Sequence, residues 1–258
     1  MTKQELINLW AESGVKVTKR QVVLAVMGFL VLSAFIFIRE LKKLPNGKLQ
    51  VVACNVGQGD AFYIKTPKGL DIVVDGGPDE KVLTCLSGHM PFWDRKIELM
   101  FLTHPHSDHM TGLTFISKRY EVEHYLNCPT CQKLFTGDKI TTSDGVEIKV
   151  LWPEKSAQSN DPNQLSLVLK INDYLLLADA DSTVQPQILD LNPDLGKIAV
   201  LKVPHHGSRT ALLPSLLEVV RPARAIISVG KNDFGHPAPE TIKLLEDFGV
   251  KIERTDKD

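Results

Sequence analysis

The sequence predicts a mixed α/β (α+β) domain of two sheets with helices outside, carried behind one N-terminal transmembrane helix. Three observations predict it. From Val22 to Ile38 the chain reads VVLAVMGFLVLSAFIFI without a single charge. Beyond a Pro-Asn-Gly breaker at 45–47, short apolar runs alternate with turn signals. The order is then a block of strands, a helix region after 109, a second strand block, and finally strand–helix–strand–helix–strand. Strands gathered in blocks favour two sheets over one all-parallel, doubly wound sheet.

The apolar run comes first. A helix rises about 1.5 Å per residue, so a run of this length comes close to spanning a ~30 Å hydrocarbon core. Lys16, Lys19 and Arg20 lie on one side of it and Arg39, Lys42 and Lys43 on the other. A helix apolar all round with cations at both ends fits a lipid span better than a buried core helix. The long polar leader and the lack of a small-x-small site disfavour a cleaved signal peptide. The expected organisation is a polar tail at 1–20, a transmembrane signal-anchor at 21–39, a linker at 40–47 and one domain at 48–258. The flanking cations are nearly balanced, so the positive-inside rule decides little. A single early signal-anchor normally leaves the short tail inside, which predicts a single-pass protein of the cell membrane with its domain outside the cytoplasm.

Within the domain, Leu49–Asn55 and Ala61–Lys65 read as strands around the tight Gly57-Gln58-Gly59 turn, and Leu70–Val74 as a third. Ile97–Thr103 is almost continuously apolar, as expected of a strand covered on both faces. Val122–Leu126 reads as another strand, with His124 partly buried in it. Ser166–Ile171 and Tyr174–Ala178 flank Asn172-Asp173, a good hairpin turn. Ile198–Val203 and Ala225–Val229 read as further buried strands. Helical spacing appears at Val184–Leu191, Leu212–Val220 and Pro239–Phe248, the last opening on Pro and stopping at Gly249.

Composition sets limits. The chain has 258 residues, 43% apolar and 24% charged, which excludes a disordered tail and a multi-span membrane protein. Thirty basic against thirty-one acidic side chains exclude whole-protein electrostatic attraction as the basis of nucleic-acid binding. No basic run marks a DNA track, and no aromatic platform stands out. Four cysteines are too few for a disulfide scaffold. Cys128-Pro-Thr-Cys131 suits an exported disulfide, a thiol pair or half a zinc knuckle, and incidental loop cysteines are the reading adopted.

The chemistry concentrates in two histidine clusters. The first is Thr103-His104-Pro105-His106-Ser107-Asp108-His109, directly after a buried strand. On a helix, residues two apart point in nearly opposite directions, and Pro105 also argues against a helix there. In a loop at a strand end, His104 and His106 would share one side and hold one metal, while Asp108 and His109 turn to a neighbouring position. Imidazoles with carboxylate suit Zn²⁺ or Mn²⁺, one or two ions, and metal-assisted hydrolysis. The second cluster is Pro204-His205-His206-Gly207-Ser208, again just past an apolar strand. One of its two histidines supplies a remote ligand; His205 is assigned that place and His206 a catalytic one. Ser208 would cap the following helix or bind substrate. Asp179, at the end of Tyr174–Ala178, is the expected bridging carboxylate. Asp75 ends another strand and is expected to accept a hydrogen bond from a ligand imidazole, fixing its tautomer.

These residues resemble a known family. The set His104-x-His106-x-Asp108-His109, Asp179 and His205-His206-Gly207-Ser208 is similar to the metallo-β-lactamase superfamily. Val56-Gly57-Gln58-Gly59-Asp60, Val74-Asp75-Gly76-Gly77, Asn163-x-x-Ser166-Leu167-Val168, Leu201-Lys202-Val203-Pro204-His205-His206-Gly207-Ser208 and Ser228-Val229-Gly230-x-Asn232-x-x-Gly235-His236-Pro237 narrow it. Together they resemble the branch that contains the carboxy-terminal domain of the DNA-uptake (competence) protein ComEC, over roughly 48–258. The resemblance implies a four-layered αββα sandwich with metals at one edge, between the sheets. It also implies a metal-dependent nuclease or phosphodiesterase on the outer face of the membrane. One anchor cannot form a DNA-conducting pore, so the expected role is the hydrolytic part of such a system, beside a separate membrane channel protein. Two departures stand out. The superfamily usually has a further ligand histidine before the bridging Asp, whereas only His124 lies between 109 and 179. Ala178 stands where Gly commonly precedes that Asp.

The expected activity is hydrolysis of DNA or another phosphodiester by a metal-bound hydroxide. Asp108 would orient the nucleophile or accept its proton. His206 or His236 would face the substrate, with Ser208 and Asn163 also in its binding. The same site would equally serve a lactone, thioester or phosphocholine ester, because fold and ligands do not separate these chemistries. A third reading is a non-catalytic, membrane-tethered domain that holds DNA or a partner. Structural zinc sites are normally closed by four protein ligands, and a site short of one favours catalysis.

Overall fold

The computed structural model describes residues 17–257; the tail through residue 16, with its Lys16, lies outside the described residues. The chain divides into two compact units, Met1–Leu44 and Pro45–Asp258. In the first, Lys19–Leu41 forms helix α1, 23 residues with a mean hydropathy of 2.6, long and apolar enough to cross a membrane. Thr18 caps it: its Oγ1 accepts from the Gln21 amide at 3.3 Å, and the Gln21 side chain accepts from the Thr18 amide at 2.8 Å. Two orphan donors of the first turn are thereby satisfied.

The second unit opens with strands β1 (Gln50–Ala53), β2 (Phe62–Lys65) and β3 (Asp71–Val74), paired antiparallel. Helix α2 (Lys81–His89) leads to β4 (Lys96–Phe101), helix α3 (Ser107–Arg119) to β5 (Glu121–Leu126), and both strands join the sheet in parallel. A second sheet begins with the antiparallel strands β6 (Lys139–Thr141), β7 (Glu147–Trp152), β8 (Val168–Ile171) and β9 (Tyr174–Leu176). After helix α4 (Gln185–Leu191) come β10 (Val200–Lys202), helix α5 (Pro214–Val220), β11 (Arg224–Ile227), helix α6 (Pro239–Asp247) and β12 (Lys251–Arg254), all four strands from β9 onward parallel. The sheets have the orders β1-β2-β3-β4-β5 and β12-β11-β10-β9-β8-β7-β6.

Alternation along the strands builds the layers. Phe62, Ile64, Ile72 and Val74 pack against Ile148, Leu169, Ile171 and Leu176 of the other sheet. Their neighbours Tyr63 and Val73 face the opposite way, onto Val82 and Leu86 of α2 and Leu113 and Ile116 of α3. The far face of the second sheet is covered by Ile188 of α4, Leu216, Leu217 and Val220 of α5, and Leu245 of α6. The result is helices, sheet, sheet, helices, the four layers that the resemblance implies.

Two expectations are corrected, and one element is new. Both cysteine pairs, Cys54–Cys85 and Cys128–Cys131, are disulfides, so these are not incidental loop thiols and the second pair is no half zinc knuckle. His124 is exposed on β5 beside Glu123 rather than partly buried. The second cysteine of the first pair lies on α2, an element that the sequence did not announce.

Candidate metal centre

Four strand ends deliver the site. Asp75 follows β3, His104 lies beyond β4, Asp179 follows β9, and His206 lies beyond β10. Carboxyl ends of strands in open α/β sheets leave such a crevice. The first histidine cluster divides at the start of α3. His104 and His106 precede the helix, His106 as its N-cap residue, while Asp108 and His109 sit in its first turn. An acidic residue there complements the helix dipole.

The side chains converge. His104, His109 and Asp179 offer ligand atoms within 4.8 Å of one another; so do Asp108, His109 and His206, and so do Asp60, Asp179 and His206. Three imidazoles share one arrangement. His109 Nδ1 lies 2.8 Å from Asp75 Oδ2, His206 Nδ1 lies 2.8 Å from the Ser228 carbonyl, and His104 Nδ1 lies 3.1 Å from Thr103 Oγ1. Thr103 Oγ1 donates to Asp75 Oδ2 at 2.7 Å, so it accepts from His104. With Nδ1 donating, each ring presents Nε2 inward, as a lone pair for a cation when neutral and as an N–H toward the facing carboxylate when protonated. Those Nε2 atoms face carboxylate oxygens: His206 to Asp108 at 3.2 Å, His109 to Asp179 at 3.4 Å, and His104 to Asp179 at 3.8 Å.

Acceptors facing acceptors in a buried site require a cation or a proton between them. Nε2 of His104 and of His109, with Oδ1 of Asp60 and of Asp179, are buried without a hydrogen-bond partner. Mixed imidazole and carboxylate donors with these orphaned atoms fit a divalent ion such as Zn²⁺ or Mn²⁺. Burial opposes the charged form of His109, yet Asp179 and Asp75 outweigh it and hold its pKa well above the usual range. Burial, helped by His109, pushes His104 down to about 2. Burial would raise Asp108, but the His206 hydrogen bond and the charges of His109 and His206 bring it down to about 2.

The expected site residues divide as follows. His104, Asp108, His109 and Asp179 come together, and Asp75 orients His109. In the second cluster His206, not His205, joins these groups. Positive φ at both (49° and 53°) turns the two side chains apart, and His205 packs 5.7 Å from the ring of His236. His106 joins none of the groups and packs edge-on, 4.7 Å from the His104 ring. Ser208 Oγ turns to Thr210 at 3.5 Å. Asn163 sits in a 3₁₀ turn at Pro162–Leu165, with Oδ1 buried and unpartnered. That turn and His104 line a largely apolar cavity of about 430 Å³ with Leu134, Phe135 and Lys133.

Two residues escaped sequence reasoning. Asp60 is buried against Lys202 Nζ, itself 1% exposed and donating to the Ala178 carbonyl at 2.6 Å. Lys202 also lies 3.7 Å from Asp179, where it offsets part of the negative charge of the centre. A lysine inside the apolar run Val200–Val203 was the signal available for it. Gly59 allows the approach: a Cβ there would fall 2.3 Å from the Asp108 carbonyl. Ala178 adopts φ +46°, the left-handed backbone for which Gly is suited, and its carbonyl also accepts from the His205 amide at 3.1 Å.

Residues 54–231 match the family described as the metallo-beta-lactamase superfamily. The chain belongs to that superfamily. It is 25% identical to "ComE operon protein 3" of Bacillus subtilis (strain 168), over 81% of this chain and 32% of that protein. It is 30% identical to "Recombination protein 2" of Haemophilus influenzae, over 83% of this chain and 28% of that protein. The chain thus spans about a third or less of the length of these relatives, and the similarity supports the ComEC-like branch of the superfamily. "Exodeoxyribonuclease WalJ" of Streptococcus pneumoniae is 30% identical over 30% of this chain and 28% of that protein. Among solved structures, "CmlA beta-hydroxylase E377D mutant" aligns with a TM-score of 0.53 and 13% identity, over 98% of this chain and 58% of that chain, which shows the fold alone.

Proposed function

We propose that this metallo-β-lactamase domain is a membrane-anchored hydrolase of phosphodiesters, with DNA as its substrate. The observation that carries it is the convergence of three imidazole Nε2 atoms on the carboxylates of Asp108 and Asp179, with Nε2 of His104 and of His109 buried without a hydrogen-bond partner. Asp108, His109, His206, His104 and Asp179 would hold one or two ions, with Asp60 at the edge of the set. Bound there, Zn²⁺ or Mn²⁺ supplies Lewis acidity toward a phosphoryl oxygen and lowers the pKa of water.

The chain's own groups divide the remaining work. Asp108, 32% exposed at the rim and ionised at neutral pH, accepts a hydrogen bond from the attacking water and aligns it. His206 is committed inward by its Ser228 hydrogen bond. His236 is therefore the substrate-facing imidazole. Burial, with His205 and His206 nearby, lowers its pKa, so at neutral pH it meets the phosphate uncharged, as a hydrogen-bond partner. His205 packs on it, with the ring centroids 5.7 Å apart.

DNA is favoured by the relatives, which include a competence-operon protein, a recombination protein and an exodeoxyribonuclease. Helix α1 supplies a single-pass anchor. Two disulfides suit an oxidising compartment and support an extracytoplasmic domain, working beside a separate channel protein. The test is hydrolysis of bis-(p-nitrophenyl) phosphate and of linear DNA by the full chain in detergent, with Mn²⁺ and with Zn²⁺. Turnover is expected, and its loss in a His106→Ala, Asp108→Ala double variant. Activity equal in the double variant and the parent overturns the reading.

A further inference from the structure

The loop 230–237 holds an apolar ring out in solvent beside the metal centre. Phe234 is 75% exposed, the most exposed large hydrophobic side chain of the Pro45–Asp258 unit. Its position is built rather than loose. Asn232 Nδ2 donates to the carbonyls of Gly230 and His236, both at 2.8 Å, and its Oδ1 accepts from the amides of Phe234 at 3.1 Å and His236 at 3.0 Å. The base of the loop is wedged against the Gly57-Gln58 turn: a Cβ on Gly230 would lie 2.4 Å from the Gly57 carbonyl carbon. Exposing an aromatic ring on a clamped loop costs hydrophobic burial, with no gain visible in the fold itself.

The rings run from solvent into the site. Phe234 lies 5.8 Å from His236, His236 5.7 Å from His205, His205 6.4 Å from His206, and His206 5.6 Å from His109, centroid to centroid. A flat aromatic group laid on Phe234 therefore sits one ring beyond the substrate-facing His236. Lys231 and Asp233 flank the loop tip with opposite charges, so what it offers a ligand is an apolar face rather than net charge. This agrees with a chain of net charge −1 that carries no basic track.

Resting on the phosphodiesterase reading, we propose that Phe234 is a base-stacking residue that receives an unpaired nucleobase next to the phosphodiester at the metal centre. Every base has a π-face and stacking on an aromatic side chain is sequence-tolerant. The base must be unstacked to reach the ring, so the preferred substrate is a single strand or a frayed end, not an intact duplex.

The full chain in detergent micelles is tested with a short single-stranded oligodeoxynucleotide and with an abasic strand of the same length. The parent is expected to show a KM at least about fivefold lower on the base-bearing strand. In Phe234→Ala this ratio falls toward one, and Phe234→Trp restores it. In parallel, a strand carrying 2-aminopurine is mixed with the protein in EDTA, where stacking quenches its fluorescence without turnover. Quenching by the parent and by Phe234→Trp, and not by Phe234→Ala, supports the proposal. Quenching in none of the three, quenching equal in all three, or a KM ratio in Phe234→Ala equal to that of the parent overturns it. Hydrolysis of methyl p-nitrophenyl phosphate by the parent separates the two readings. Failure there removes the phosphodiesterase, whereas the quench still reports on Phe234.

Discussion

Each imidazole of the centre is held by one nitrogen and leaves the other for the cleft. At His109 the holder is Asp75, itself fixed by the Thr103 amide at 2.8 Å and hydroxyl at 2.7 Å. Carboxylate partners of this kind raise ligand basicity and fix ring orientation, and their loss typically lowers metal affinity about 10–100-fold. Asp75→Asn is therefore expected to weaken Mn²⁺ or Zn²⁺ binding within that range while the fold persists, measured by competition with a chelating dye. Unchanged affinity would show that His109 is oriented by something else. The residue types of the site were legible because four ligand-type side chains in six positions after a buried strand have few other uses. Which member of the His205-His206 pair turns inward was not. It depends on two consecutive left-handed backbone conformations, set by the Ala178 carbonyl on one side and Ser228 on the other. Asp60 and Lys202 were hidden for a related reason: each is costly to bury alone, and only the fold shows that they neutralise each other.

At the scale of elements, the strands that read clearly were the fully buried β2 and β3 and the largely apolar β4, since apolar continuity is a strong signal. Strand β6 has three residues and little burial, and α2 buries only Val82 and Leu86, so neither carries a long periodic pattern. What α2 lacks in buried surface is supplemented by Cys54–Cys85, which ties it to the end of β1 across 31 residues of sequence. Closing a loop of that size stabilises a fold by about 3–4 kcal/mol in the chain-entropy account. A Cys54→Ser, Cys85→Ser variant is expected to lose on the order of 3 kcal/mol in denaturant unfolding, and more than a Cys128→Ser, Cys131→Ser variant, whose loop spans 3 residues. Equal losses would mean that the longer crosslink adds nothing to the packing of α2.

At the scale of the whole molecule, the αββα layering follows from strand alternation and was within reach of the sequence, whereas buried charge away from the site was not. Asp71, 1% exposed, accepts from the Tyr63 hydroxyl and lies 3.6 Å from Lys65, with Asp94 and Glu98 also acting on it. Burial dominates and raises its pKa to about 7 from the model-compound value of 3.8. The folded chain then holds a proton that the unfolded chain has released, so this group's stabilisation is lost as pH rises from about 4 to about 7. The slope is at most about 1.4 kcal/mol per pH unit. Asp71→Asn should flatten that part of the stability profile in denaturant titrations between pH 5 and 8. A profile parallel to that of the parent would place the proton elsewhere.

On the proposed function, the inward Nε2 atoms and the facing carboxylates enclose a divalent ion. Elemental analysis of the full chain, purified without chelator, reads it directly: one or two equivalents of a transition metal are predicted in the parent, with a marked loss in His109→Ala. A parent free of metal that takes up none on Zn²⁺ or Mn²⁺ titration, or a His109→Ala protein holding as much as the parent, would contradict the account.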